Sequence, residues 1–186
     1  MKKSIDKLGV VVTRILEIFH IVGAAILAAA AVCSLIKPEW VKNFVEVEVK
    51  ECCGFELSLY GFEVNAPAVD GKMDMTVFFL FAIGGTLIMA ALALIFHHLY
   101  RIFKKSQTGA PFQKETARRM RDIGILAIAI PVIGLVMGGI TRLVSGVDTV
   151  ELSVDTGGIF MGIIVLCLTQ FFVHGAKLEQ DVDGLV

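Results

Sequence analysis

The sequence predicts an all-α transmembrane four-helix bundle with a small extracellular antiparallel β-sheet built from both outer loops. Three observations carry that prediction. Four apolar runs, at about 10–36, 75–100, 123–144 and 157–173, are long enough to cross a bilayer, which takes roughly 20 residues at a rise of about 1.5 Å each. Lys and Arg are unevenly placed: eleven of the seventeen lie at the amino end or in the loop between the second and third runs. The two remaining loops, 37–74 and 145–156, alternate apolar with polar residues, which is a strand signal with one buried face.

Composition agrees with a membrane class. The chain is 56% hydrophobic with a mean hydropathy of +0.78, above the range of ordinary soluble domains. Its net charge of -1 says nothing about nucleic acid; what matters is where the charges fall. The length of 186 residues suits one domain, read here as a single four-span unit over 1–186. The first run begins among positive charges and contains the Ala28–Ala31 stretch, so a cleaved signal peptide competes with a retained helix. The run exceeds a usual signal core and holds Arg14, Glu17 and His20, which favours retention.

Orientation follows from the bases. Lys2, Lys3, Lys7 and Arg14 sit at the amino end, and Arg101, Lys104, Lys105, Lys114, Arg118, Arg119 and Arg121 fill the inner loop 101–122. Loop 37–74 has four lysines against eight acids, and loop 145–156 has acids and no base. The expectation is a multi-pass protein of the cell membrane with both termini cytoplasmic. Trp40 then falls at the outer interface and Tyr100 at the inner one.

In the first outer loop, Val45, Val47 and Val49 alternate with charges, as do Phe55, Leu57 and Leu59 with Glu56, Ser58 and Tyr60. The phase slips at Tyr60-Gly61, which suggests a bulge or tight turn before Phe62 and Val64. Val150, Leu152 and Val154 repeat the pattern in the second. These runs predict three to five strands resting their apolar face on the helix ends, a face that could also take a lipid or apolar ligand. Cys52 and Cys53 are adjacent. A hairpin turn, two free thiols, bonds between subunits and a strained vicinal disulfide all remain open there. Cys33 and Cys167 read as small apolar fillers, and no zinc spacing is present.

Within the runs, Gly134/Gly138 and Gly158/Gly162 form GxxxG patterns that let helices approach. Pro131 lies inside the third run and is expected to kink it. Arg14, Glu17 and His20 recur every three residues and share one helix face. With His97 and His98 they make a candidate inner polar cluster, and His174 lies at the same depth. Interfacial polarity, a cluster that docks a partner or senses pH, and a haem or metal site on His20, His97 or His98, and His174 are the competing readings. No metal ligand set and no cofactor is assigned. The sequence has no nucleophile–base constellation and no phosphate-binding glycine motif, so no enzymatic activity is expected. Pro111 to Glu115 reads as a helix start, whose basic first turns would lie at anionic headgroups or dock a partner.

Ala110-Pro111-Phe112, followed by Arg118-Arg119-Met120-Arg121-Asp122-Ile123-Gly124, resembles the inner loop of a bacterial integral-membrane family, domain-of-unknown-function family 2975. The segment His174-Gly175-Ala176-Lys177-Leu178-Glu179-Gln180-Asp181 is similar to that family's ending, whereas the terminal Asp183-Gly184-Leu185-Val186 departs from its usual acidic-Leu-Thr-Ile finish. The layout also resembles claudin-like membrane proteins by analogy of architecture. Because members of the bacterial family are often encoded beside small helix-turn-helix regulators, the resemblance implies a sensor or membrane tether for such a cytoplasmic regulator. Arg118, Arg119, Arg121, His174, Leu178 and Asp181 would then face the partner. The alternative is a small transporter or an immunity or resistance protein that binds an extracellular apolar or peptide ligand. A haem or metal protein is the third reading. The bilayer is the expected partner in every case, homo-oligomers fit the glycine patterns, and direct nucleic-acid contact is not expected.

Overall fold

The computed structural model describes residues 2–44, 55–66, 74–106, 114–145 and 156–183. In chain order these form α1 (Lys2–Ile36), α2 (Pro38–Phe44), β1 (Phe55–Leu59), β2 (Phe62–Ala66), α3 (Met75–Ser106), α4 (Lys114–Ser145) and α5 (Thr156–Asp183). Four of these helices are long and apolar enough to cross a membrane: Lys7–Ile36, Met75–Ser106, Glu115–Ser145 and Thr156–Gly175. The expected runs are all found, but the helices continue beyond them. α3 and α4 extend by more than a turn into the basic inner loop, and α5 carries the chain on to Asp183.

Local signals explain the helix ends. Asp74 caps α3, its Oδ1 accepting from the Thr76 N–H at 2.8 Å. Lys104 and Lys105 lie in the last turn of α3, and Glu115 in the first turn of α4, each favourable to the helix dipole. Pro38 begins α2, where its missing N–H costs nothing. α4 runs on through Pro131. Hydroxyls in the apolar stretches are satisfied within their own helices: Thr13, Thr86, Thr141 and Thr169 each donate to the carbonyl four residues earlier, at 2.7, 2.7, 2.8 and 2.8 Å.

The outward sides are apolar. Leu8, Val11, Ile15, Ile18, Val22 and Ile26 of α1 are all exposed. A surface of that kind is stable against lipid and not against water.

Packing divides the chain into two compact units. The polar unit comprises Met1–His20, Ala91–Ala129 and Thr156–Val186. The hairpin unit comprises Ile21–Ala90 and Ile130–Asp155.

In the polar unit, α4 and α5 meet through glycine. A Cβ on Gly162 would lie 2.5 Å from Ile128 and 2.9 Å from the Gly124 carbonyl, and one on Gly124 would lie 2.7 Å from Leu166. The backbones themselves are therefore in contact. Gly124 belongs to neither GxxxG pattern, so the small-residue contact pairs Gly162 with a partner those motifs did not indicate. Gly134 instead faces Phe62 in the hairpin unit, where a Cβ would lie at an ordinary contact distance of 3.5 Å.

The sheet of the hairpin unit is two-stranded among the described residues. β1 and β2 pair antiparallel, with Leu59 opposite Phe62 and Leu57 opposite Val64. Tyr60 and Gly61 form the turn with φ of 48° and 77°, the both-positive signature of a two-residue hairpin loop. The phase slip is thus a tight turn that returns the apolar residues to one face. The strands expected at 45–50 and 150–154, and Cys52-Cys53, lie outside the described residues.

The hairpin does not rest on helix ends as expected. Phe62, 2% exposed, stacks on Phe81 with centroids 5.2 Å apart. A Cβ on Gly84 would lie 2.7 Å from the Phe62 ring, and one on Gly85 would lie 2.9 Å from Leu59 and 3.1 Å from Leu27. Those glycines are nine and ten residues inside α3. Their missing side chains make the slot that admits the hairpin tip. Above the tip, Ala31, Val41, Phe78 and Ala82 form a small core against Leu57.

Candidate functional site

The polar unit brings much of the expected inner cluster together around one carboxylate. Glu17 is 5% exposed. The three-residue spacing on α1 places Arg14 beside it, and Arg14 Nη1 donates to Glu17 Oε2 at 2.8 Å. From α3, His97 Nδ1 lies 3.0 Å from Glu17 Oε1. Both carboxylate oxygens are therefore engaged, one within its helix and one across the α1–α3 contact. A carboxylate in an apolar span is expensive unless paired, and here two donors compensate it. Next to an acceptor-only oxygen, His97 Nδ1 is the protonated nitrogen. The arrangement is an ion pair when the ring is charged and a neutral-donor hydrogen bond when it is not.

The other members divide among separate partners. His20 is 3% exposed, with Nδ1 2.7 Å from the Leu16 carbonyl and its ring 5.0 Å from that of Phe96. His98 Nδ1 lies 3.5 Å from Arg119 Nη1, and its ring centroid is 6.1 Å from that of His97. His174 is exposed, with Nδ1 2.9 Å from the Gln170 carbonyl of its own helix. Among the described residues, no group of three or more His, Cys, Asp or Glu could hold a metal ion.

Among the three arginines expected on the docking surface, the helix phase separates roles. Arg118 and Arg121 are exposed. Arg119 is half-buried and donates to Glu115 Oε1 at 2.7 Å, and Glu115 also pairs with Lys105 of α3. The Lys105–Glu115 pair ties α4 to α3, and Arg119, engaged by Glu115 within α4 and 3.5 Å from His98 of α3, is less available to a partner. The side chains of Leu178 and Asp181 lie outside the described residues, although α5 passes through both positions. The Glu115 bridge was missed by sequence reasoning, and the four-residue Glu115–Arg119 spacing was its available signal. Tyr100 was also missed as a contact residue: Arg14 and Lys104 stand 5.3 and 5.6 Å from its ring centroid.

The Glu17–His97 contact makes a measurable prediction. Glu17→Ala and His97→Ala should each lower unfolding stability in mixed micelles. The double variant should lose less than the sum by about 0.6–1.7 kcal/mol, the range of interhelical hydrogen bonds in membranes. Additive losses would mean the two side chains do not interact.

These features define a multi-pass membrane protein with four spanning-length helices, a hairpin packed into a glycine slot of α3 and a compensated carboxylate within its helices. Comparison with protein-family models, with curated proteins and with solved structures finds no match to the chain.

Proposed function

We propose that the chain is a bacterial membrane tether, or sensor, for a small soluble helix-turn-helix regulator, held at the basic face of the polar unit. In this reading the polar unit faces the cytoplasm, because the amino end and the α3–α4 connection carry eleven of the seventeen bases. The observation that carries the proposal is the exposure of Arg118 and Arg121 beside the internally engaged Arg119. Two guanidinium groups left outward can meet an acidic partner, while the third fixes the helix that presents them. α5 supports the same reading, since it continues helically past its apolar stretch from Gly175 to Asp183.

The resemblance of 110–124 and 174–181 to the bacterial family supplies the kind of partner. Anionic headgroups are the competing occupant of the same arginines. Arg118→Glu/Arg121→Glu separates the two. It should weaken the regulator's binding to nanodisc-held protein by about tenfold or more, in neutral as well as anionic lipid. An effect confined to anionic lipid would assign the arginines to headgroups.

A further inference from the structure

The hairpin unit places strand backbone where a membrane protein can seldom tolerate it. Three helices measure its depth independently. The tip packs at Leu27 of α1, Gly85 of α3 and Gly134 of α4. The first charges beyond those levels are Lys37, Asp74 and Arg142, which are ten, eleven and eight residues away. At the helical rise, each helix continues without charge for about 12 to 17 Å past the tip. That is a large part of one leaflet of a hydrocarbon layer about 30 Å thick.

The two faces of the hairpin differ. Phe62 and Val64 are buried at 2% and 0% exposure. On the opposite face, Ser58 is exposed and stands across from Glu63, which is half-buried and makes no ion pair among the described residues. Leu59 and Phe62 flank the two-residue turn and exchange the first pair of ladder bonds. The alternation then directs the N–H and C=O groups of Ser58 and Glu63 away from the hairpin. No backbone partner for them occurs among the described residues. In lipid each such group would cost several kcal/mol, and non-helical backbone persists at this depth only when buried in protein or lining water.

We propose that the polar face of the hairpin lines a water-filled cleft that enters the membrane to about the level of Gly85, and that Glu63 makes this cleft selective for small cations. Water satisfies the outward backbone of Ser58 and Glu63 and solvates the carboxylate. A carboxylate that makes no ion pair among the described residues, set in a largely apolar surrounding, attracts cations and repels anions. The inference concerns the hairpin unit alone and stands whether or not the basic face holds a regulator.

The test is cysteine accessibility in membranes, with the four native cysteines replaced by serine. Single cysteines are placed at Ser58 on the polar face, at the buried Val64, and at Ile26 and Val136. The last two are exposed apolar positions at nearly the same level, 63% and 53% exposed. The probes are impermeant methanethiosulfonates bearing a trimethylammonium or a sulfonate group, added from each side in turn. Ser58→Cys should react about tenfold faster than Ile26→Cys or Val136→Cys, because the thiolate forms in water and not in hydrocarbon. Val64→Cys should stay unreactive, which also reports that the hairpin remains packed. Relative to their rates with a free thiol in water, the cationic reagent should be favoured over the anionic one by about threefold, and Glu63→Gln should abolish that excess. Equal rates at Ser58, Ile26 and Val136 would overturn the cleft, whether all are slow or all are fast; the fast case would put the membrane boundary below the tip. A rate ratio no larger than that of the free thiol with Glu63 present would overturn the selectivity.

Discussion

Phe62→Ala is expected to destabilise the protein by about 3–5 kcal/mol, the cost of emptying a buried phenylalanine site. Phe62 is 2% exposed, stacks on Phe81 and fills the space left open by Gly84. Gly84→Ala should also be harmful alone, since its Cβ would meet the Phe62 ring at 2.7 Å. The two changes should be strongly non-additive, with Gly84→Ala tolerated better once Phe62 is already alanine. Unfolding in mixed micelles, followed by helix signal, measures all three variants. A loss below about 1 kcal/mol for Phe62→Ala would mean that the hairpin does not occupy the slot.

Gly162→Val carries the second large effect. Its first added carbon would stand 2.5 Å from Ile128 Cγ1, 2.9 Å from the Gly124 carbonyl and 3.1 Å from the Ile128 backbone nitrogen. A side-chain tip could swing aside, but the backbone atoms can yield only if α5 moves away from α4. The expected loss is about 3 kcal/mol, the upper part of the usual range for overpacking, and Gly162→Ala should already lose part of it. Gly139→Ala is the internal comparison: nothing lies within 4 Å of its Cβ. That change should be neutral or stabilising by up to about 1 kcal/mol through helix propensity. Equal effects at Gly162 and Gly139 would contradict close α4–α5 packing.

Much of this architecture was legible in the residues, for identifiable reasons. Continuous apolarity over about 20 residues has few outcomes, so the four spanning helices followed from length and hydropathy. Periodicity of three placed Arg14 beside Glu17 within one helix. It could not indicate that the second donor is His97, 80 positions away, because a helical period says which face a residue shares and nothing about which helix meets that face. The same limit applies to glycine. Gly124 and Gly162 lie on different helices, and the GxxxG that holds Gly162 does not indicate Gly124 as its partner.

The hairpin marks a different boundary. Alternation at Phe55–Leu59 and Phe62–Ala66 reported one buried face but not the depth of burial. The doublet Gly84-Gly85, next to bulky Phe78, Phe79 and Phe81, was the signal that α3 has a slot rather than a ridge. Arg119 was grouped with Arg118 and Arg121 because all are basic. The four-residue spacing from Glu115 distinguishes Arg119 within α4 from the two left outward.

The tether reading is tested most directly by where the regulator resides. In cells carrying the native chain, the proposed helix-turn-helix regulator should sediment with membranes. In cells carrying Arg118→Glu/Arg121→Glu, with the variant inserted at native level, most of the regulator should move to the soluble fraction. Restoring the charge with lysine at both positions should return it, at least in part. A regulator that stays soluble with the native chain, or that stays on the membrane with both arginines reversed, would contradict the proposal.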